Sequence, residues 1–362
     1  MKSGKAIIVW VFSNIFEILK VRKSIEGLTI NAGLAIFVLS FSTATISAVV
    51  RTSGAEVELS YLPDGETSFF VCAFGLLLVV GGFFLGAFKG IQEERRNNRN
   101  HIAAIELRGL QDTGDTPLAD FLPKTVKGQR DTILVDIRKY VDRGFVTDPA
   151  AALSRVALIS HDFNEWKRRF DPSDTKAFIG GLMPVPFSFL AGMLIDDEHR
   201  LEGFLDWDRD ARVWRPLEGI DDGNSFDVSG LENVPERAPE VIVAISASYS
   251  INTDEVRTFK FGTPMVALEL NDRSTSCHWS EEKQRRLSSQ FRETVRVLAD
   301  KKIGLIHLFL AGANSLVIRL GATYDSRNMP ACIVYQYERT ATPAYPWGVQ
   351  LPTHAVKSAS II

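Results

Sequence analysis

Three aspartates in the run DWDRD, Asp206, Asp208 and Asp210, have the spacing that best suits chemistry. Alternate side chains of a strand share one face, so three carboxylates would gather there as an acid/base or metal-binding cluster. The run closes a predicted strand before a turn, where solvated charges are the commoner outcome. Cys277 and His278 are adjacent but lack the further ligands that a metal site needs. We therefore expect no catalytic residues and no metal site.

The composition argues against several classes of protein. The 362 residues carry a net charge of −3, so the chain lacks the basic excess of a protein that binds DNA or RNA polymers. Its three cysteines have no CxxC spacing, which favours a reducing compartment without disulfides. The absence of a P-loop and of a G-x-G-x-x-G motif argues against nucleotide hydrolysis and dinucleotide cofactors.

One turn of the chain suits an anion. The sequence GANS at 312–315 opens a predicted helix, where backbone N–H groups attract phosphate and small side chains let it approach closely. The equivalent turn, PVP at 184–186, offers fewer donors because proline has no N–H. We expect two unequal lobes, with more of the phosphate contact in the second.

The two turns belong to a repeat. Residues 181–209 and 308–339 each contain an apolar run, a small-residue turn, a short apolar helix that ends at a glycine (Gly192 and Gly321) and a further strand. A repeat of this length predicts two α/β units that pack as a pseudo-dimer, with a shared cleft between them for a ligand.

The residues from about 95 to 350 are predicted to form a soluble α/β region. Strands alternate with helices, so we expect parallel sheets that bind ligands outside the carboxyl ends of their strands. An acidic loop rich in glycine and proline, Glu218 to Glu240, separates the two halves. The predicted helices are Gln129 to Arg143, Ala150 to Phe170 and Ser280 to Lys302, and a buried strand begins at Val241.

The candidate ligand-binding residues stand at those strand ends or turns, or have aromatic rings on which a base can stack. Core packing is the alternative for each aromatic ring. Arg108 and Arg319 can pair with phosphates as planar forks, although Arg319 fits a surface position equally well. The candidates are Arg108, Gly109, Pro184, Pro186, Phe187, Trp207, Ser246, Ser248, Tyr249, Gly312, Asn314, Ser315 and Tyr337.

Two uncharged stretches precede this region. Residues 28–50 and 67–88 are each long enough to cross a bilayer core of about 30 Å. The loop between them is acidic and basic residues flank the pair, so the positive-inside rule predicts a multi-pass protein with both termini in the cytoplasm. Residues 1–27 are predicted to lie in the membrane interface.

A stripe of glycines runs along the second stretch. Gly82, Gly86 and Gly90 recur every four residues, a spacing that lets helices approach closely in lipid. The stripe either packs within the hairpin or associates with another copy. The predicted domains are an interfacial segment at 1–27, a transmembrane hairpin at 28–90, a polar linker at 91–100, an α/β domain at 101–352 with halves 101–217 and 240–352, and a tail at 353–362.

The residues of the α/β domain at 101–352 resemble a SAVED sensor domain. The runs VIVAISASYSI from Val241, HLFLAGANSLVIRLG from His307 and IVYQYER up to Arg339, with Tyr345, are similar to its second half. The passages GLMPVPFSFLAG and FLDWDR, with Trp214, are similar to its first half. SAVED domains resemble a fused pair of CARF-type, Rossmann-like units, which agrees with the repeat. The expected fold is a membrane α-helical hairpin plus an α/β SAVED-like pseudo-dimer with parallel sheets.

A pair of membrane segments before a SAVED domain resembles the effectors of bacterial CBASS anti-phage systems. The resemblance implies that a cyclic di- or trinucleotide from a partner nucleotidyltransferase is the ligand. It implies a non-enzymatic protein without a cofactor, a ligand-driven homo-oligomer, contact with lipid and disruption of the inner membrane in abortive infection. The alternatives are a membrane-anchored nuclease or phosphodiesterase that acts on a cyclic oligonucleotide, and a CRISPR-linked CARF-type membrane protein.

Overall fold

The computed structural model describes residues 24–39, 46–52, 55–61, 65–110, 116–196, 201–260 and 262–362. The chain divides into two compact units, Met1–Asn97 and Asn98–Ile362. Nearly all of the predicted interfacial segment, residues 1–27, lies outside the described residues.

The first unit contains two helices and a β-hairpin between them. Its elements are α1 Ile25–Leu39, β1 Ile46–Thr52, β2 Ala55–Tyr61 and α2 Gly65–Arg99. Within the described residues, α2 is the one helix that is long and apolar enough to cross a membrane, over Phe69–Arg99, and α1 is apolar but shorter.

The first predicted span, residues 28–50, is not one continuous helix in the structure. The structure describes α1 over Ile25–Leu39, and these 15 residues reach about 22 Å. Residues 46–52 form β1, which pairs antiparallel with β2. The β-branched Val49, Val50 and Thr52 favour this extended backbone. Most of the predicted polar linker at 91–100 is helical in the structure, because α2 continues to Arg99.

Helices α1 and α2 pack through glycines that allow backbone contact. A Cβ on Gly33 would lie 2.7 Å from the Gly75 carbonyl oxygen, and a Cβ on Gly75 would lie 2.7 Å from the Phe37 nitrogen. A Cβ on Gly82 would lie 2.5 Å from the Ile30 side chain. A larger residue at Gly33 or Gly75 would therefore force the two helices apart.

The second unit contains two sheets with helices packed on them. Its strands are β3 His101–Arg108, β4 Gln129–Asp136, β5 Val141–Asp142, β6 Phe145–Val146, β7 Thr175–Leu182, β8 Leu201–Asp208, β9 Val213–Pro216, β10 Phe226–Ser229, β11 Glu240–Ser246, β12 Met265–Leu270, β13 Leu305–Ala311, β14 Ala331–Gln336, β15 Trp347–Gln350 and β16 Ser360–Ile361. Its helices are α3 Pro149–Ala157, α4 Ile159–Lys167, α5 Val185–Asp196, α6 Thr253–Phe259, α7 Glu281–Asp300 and α8 Asn314–Ala322.

The two sheets share one topology. The first has the order β4-β3-β7-β8-β9, in which β9 alone is antiparallel to its neighbour. The second contains the same pattern as β12-β11-β13-β14-β15, extended by antiparallel β10 and β16. The units β7-α5-β8 and β13-α8-β14 occupy equivalent places, so the pseudo-dimer predicted from the repeat is confirmed.

The two halves meet where α5 crosses α8. A Cβ on Gly192 of α5 would lie 2.0 Å from the Ile318 carbonyl oxygen. A Cβ on Gly321 of α8 would lie 2.0 Å from the Phe189 carbonyl oxygen. Both glycines of the repeat are thus required by reciprocal contact between helix backbones in the centre of the core.

Two of the predicted helices differ from the structure. The helix predicted over Gln129 to Arg143 was wrong, because β4 occupies most of this stretch. Ile133 and Val135 are buried at alternate positions, as a strand requires. Ala150 to Phe170 forms two helices, α3 and α4, rather than one. The helix predicted over Ser280 to Lys302 is confirmed as α7, with the Ser280 hydroxyl accepting the Lys283 N–H at its start.

Candidate functional site

A cavity of about 380 Å³ opens at the carboxyl ends of the strands, where the two halves meet. The first half contributes the ends of β7 and β8, and the second contributes the segments after β11, β12 and β13. The lining residues are Leu182, Asp206, Trp207, Asp208, Arg209, Asp210, Arg215, Ser248, Tyr249, Thr275, Ser276, His278, Trp279, Gly312, Ala313 and Asn314. This is the shared cleft expected from parallel α/β units.

Asp206 and Asn314 join the two halves at this cavity. Asp206 is buried on β8, and its Oδ2 accepts the backbone N–H of Ser315 in the first turn of α8, at 2.9 Å. In the other direction, Asn314 Oδ1 accepts the Met183 N–H at 3.2 Å and the Ser188 hydroxyl at 2.5 Å. Each half therefore satisfies donors of the other, as an N-cap residue does within one helix.

This arrangement changes the interpretation of two predicted sites. The carboxylates of DWDRD do not act as one solvated cluster, because Asp206 is only 4% exposed and caps α8. Asp208 instead closes the turn after β8, accepting the N–H groups of Asp210 and Ala211 and pairing with Arg215 at 2.8 Å. The Ala211 N–H and the Arg215 guanidinium lower the pKa of Asp208. At the GANS turn, one N–H that suits a phosphate is already bonded to Asp206.

Aromatic rings and guanidinium groups form one wall. The Trp279 ring lies 4.4 Å from the His278 ring, and the Arg215 guanidinium lies 4.6 Å above the Trp279 ring. Tyr249 stands at the rim with 54% of its surface exposed. Flat rings beside cations are the surfaces on which nucleobases stack and phosphates are neutralised.

The loop that carries His278 and Trp279 is tied to the linker between the halves. The Lys283 side chain is 1% exposed, and its Nζ lies 2.5 Å from Asp222 Oδ2 and 3.0 Å from Asp272 Oδ2. Burial opposes the charge of Lys283, yet the two carboxylates outweigh it and raise the pKa of the lysine. The Gly219 N–H also bonds the Trp279 carbonyl at 2.8 Å. We name Asp222, Asp272 and Lys283 the lysine clasp.

The structure brings five of the predicted ligand residues to the cavity and places eight elsewhere. Arg108 is buried in an ion pair with Glu106, Phe187 packs in the core, and Tyr337 stands beside Tyr345. Those in the cavity wall are Trp207, Ser248, Tyr249, Gly312 and Asn314. Those outside it are Arg108, Gly109, Pro184, Pro186, Phe187, Ser246, Ser315 and Tyr337.

Sequence reasoning missed the contribution of the segment after β12. His278 and Trp279 come from this segment and line the cavity, and neither was a candidate ligand-binding residue. Arg209, in the turn after β8, and Arg215, on β9, also line the cavity and were missed. A signal existed, because β12 is a parallel strand and the residues that follow its carboxyl end must reach the same edge of the sheet as those of its neighbours.

A second cavity lies on another part of this unit. It has a volume of about 740 Å³ and is lined by arginines of α7 and α8, including Arg285, Arg292, Arg296 and Arg319. Arg319 and Arg285 share the Glu281 carboxylate and Arg296 pairs with Glu293, so three of these four arginines already take part in ion pairs. Arg319 also stacks 3.9 Å from the Phe204 ring. Across the residues described, no cluster of His, Cys, Asp or Glu is placed to hold a metal ion.

Comparison with solved structures finds a weak likeness. The Cap4 SAVED/CARF-domain containing receptor of Acinetobacter baumannii with the cyclic trinucleotide 3′3′3′-cAAA aligns at 13% identity over 77% of this chain and 60% of that chain, with a TM-score of 0.48. The same receptor with 2′3′3′-cAAA gives 10% identity over 77% and 59%, with a TM-score of 0.47. The Moraxella osloensis Cap4 receptor gives 12% identity over 76% and 59%, with a TM-score of 0.45. The chain thus spans about three fifths of the length of these receptors.

Family models give the assignment. No curated protein matches the chain. The model of the SAVED-fused 2TM effector domain matches residues 5–153, and this places the protein at a membrane. The model of the SMODS-associated and fused to various effectors sensor domain matches residues 159–351, more than half of the chain. The chain therefore belongs to the SAVED family, with its sensor fused to a 2TM effector domain.

Proposed function

We propose that this protein is a ligand-gated membrane effector of bacterial anti-phage defence. Its sensor binds a cyclic di- or trinucleotide made by a partner nucleotidyltransferase, the bound sensors oligomerise, and the membrane segments then disrupt the inner membrane. The observation that carries the proposal is the cavity built from both halves of the sensor, in a chain that also contains an apolar helix of membrane-spanning length.

The chemistry of the cavity supports a nucleotide ligand. Arg209 and Arg215 supply guanidinium groups for phosphates, and Trp279 and Tyr249 supply rings for bases. Asp206 and Asp208 line the same cavity, with Asp208 paired to Arg215 at 2.8 Å, and their carboxylates suit the amino groups of a base better than its phosphates. The Cap4 receptors solved with cyclic trinucleotides offer 3′3′3′-cAAA and 2′3′3′-cAAA as the first probes.

Clustering explains how a cytosolic ligand would act in the membrane. A ligand that joins neighbouring sensors raises the effective concentration of the membrane helices without any new contact in lipid. In the first unit, Gly82 packs against Ile30, so it contributes to the contact between α1 and α2. A Cβ on Gly86 would lie 3.9 Å from the Glu26 side chain, and a Cβ on Gly90 would have no neighbour within 4 Å among the described residues. These two glycines are the proposed contact between copies, in a multi-pass protein with both termini in the cytoplasm.

The packing of α1 on α2 can be tested separately from sensing. We expect Gly75→Leu to abolish toxicity in cells that produce the ligand, because even its Cβ would contact the backbone of Gly33 and Phe37 at less than 3 Å. Gly81→Leu is the matched control, since nothing lies within 4 Å of a Cβ there. Ligand affinity of both purified full-length variants should equal that of the wild type. Toxicity that survives Gly75→Leu would show that killing does not require the packing of α1 on α2.

The proposal is tested by calorimetry of the full chain in detergent micelles against a panel of cyclic di- and trinucleotides. We expect one panel member to bind and to increase the size of the particle. Mass spectrometry of the recovered ligand tests the enzymatic alternative: intact ligand agrees with an effector, and turnover would instead assign a nuclease or phosphodiesterase.

A further inference from the structure

His278 lies in the cavity wall, and among the described residues its ring nitrogens make no hydrogen bond of normal geometry. The side chain is 7% exposed, and neither Nδ1 nor Nε2 makes a hydrogen bond anywhere in the part of the chain that the structure describes. Asp206 Oδ2 lies 3.6 Å from Nε2, beyond a normal hydrogen bond. Buried polar side chains are nearly always hydrogen-bonded, so an unpartnered imidazole at a cavity indicates a missing ligand.

Burial, more than the charges around the ring, favours the neutral imidazole. It faces the Asp206 carboxylate from β8, the Thr275 backbone from its own loop, and the guanidinium groups of Arg209 and Arg215. Burial lowers the pKa of His278, and Asp206 and Thr275 only partly oppose that effect. An incoming phosphate would reverse the balance, because a second negative charge beside the ring favours the imidazolium.

We propose that His278 is a ligand-contacting residue, whose imidazole takes one proton from solvent and donates a hydrogen bond to a phosphodiester oxygen of the bound cyclic oligonucleotide. Asp206 stabilises the imidazolium from the other side of the ring. This inference rests on the proposed function and deepens it, because it makes affinity depend on pH. Binding raises the pKa of the imidazole, so affinity is greatest below the pKa that His278 has in the free protein and falls as the pH rises from there through the raised pKa of the complex.

The test is calorimetry of the full chain in micelles between about pH 6 and pH 8, in two buffers of different ionisation enthalpy. The ligand is the panel member that the wild type binds, with 3′3′3′-cAAA tried first. We expect the wild type to take up as much as one proton and to lose affinity several-fold, by at most about tenfold per pH unit. His278→Gln should bind more weakly, without proton uptake and without the pH dependence.

The control is His161→Gln, since His161 is exposed on α4 and 71% of its side chain is accessible. This variant should retain the affinity, proton uptake and pH profile of the wild type. The inference is overturned if the wild type binds without proton uptake, or if His278→Gln keeps the wild-type profile. Absence of binding by the wild type to every panel member would instead contradict the proposed function, and the inference with it.

Discussion

Gly192→Ala and Gly321→Ala are each expected to destabilise the sensor by about 3 kcal/mol or more, although alanine is the better helix former. The added Cβ would lie 2.0 Å from a carbonyl oxygen of the facing helix in either variant. Relief requires α5 and α8 to separate, and both are packed in the core that joins the two halves. Helix propensity alone predicts the opposite sign, a gain of about 1 kcal/mol.

Thermal unfolding of the full chain in micelles measures this effect. For a domain of this size we expect the sensor transition to fall by roughly 6–12 °C, at about 2–4 °C per kcal/mol. Met193→Leu, beside Gly192 on α5, is the control, because a swap of similar volume costs little. An unchanged or raised Tm in Gly192→Ala would mean that the helices do not cross this closely.

Lys283→Met is expected to cost about 3 kcal/mol of sensor stability and to weaken ligand binding. Removing one partner of a buried ion pair costs about 3–5 kcal/mol, and the lower end applies because the Asp222 and Asp272 side chains are 39% and 38% exposed. The two carboxylates would then repel each other and release the loop that carries His278 and Trp279. Because Lys283 lowers the pKa of Asp222, the clasp is intact at neutral pH and is lost as the pH falls through that lowered pKa.

Arg285→Met on the same helix is the matched control. Arg285 pairs with Glu281 four residues earlier, and its side chain is 67% exposed. Such a surface pair contributes about 0.5 kcal/mol or less, and its loss should leave ligand affinity unchanged. If both variants lost the same small amount of stability, the lysine clasp would be an ordinary surface contact.

The repeat could be predicted from the sequence because each copy is a short, continuous pattern of apolar and small residues. Gly192 and Gly321 stand at matching places in the two copies, and the structure shows that each is needed for the crossing of α5 and α8. The prediction that a glycine ends each helix was wrong for the first copy, because α5 continues past Gly192 to Asp196. The stretch from Gln129 to Arg143 was wrongly predicted as a helix. A stretch this short contains too few residues to distinguish a hydrophobic period of two from a period of 3.6. The burial of alternate residues in β4 identifies the stretch as a strand, and that burial exists only once the sheet has formed.

The candidate site was only partly predictable for a physical reason. Ser248 and Asn314 follow strands whose direction could be inferred, so their position at one edge was expected. The role of Asp206 depends on contact with α8, more than a hundred residues away, and the alternation of DWDRD carries no sign of it. His278 was set aside as a metal ligand, and only the folded chain shows it buried beside Asp206 without a partner.

The central claim is that the cavity between the halves binds a cyclic oligonucleotide. Calorimetry of the full chain against the panel tests it directly, alongside Trp279→Ala in the cavity and Arg292→Ala in the arginine-lined cavity. We predict saturable binding by the wild type and by Arg292→Ala, and a loss of about 1–3 kcal/mol of binding free energy in Trp279→Ala. No binding by the wild type, or loss of binding in Arg292→Ala alone, would contradict the claim.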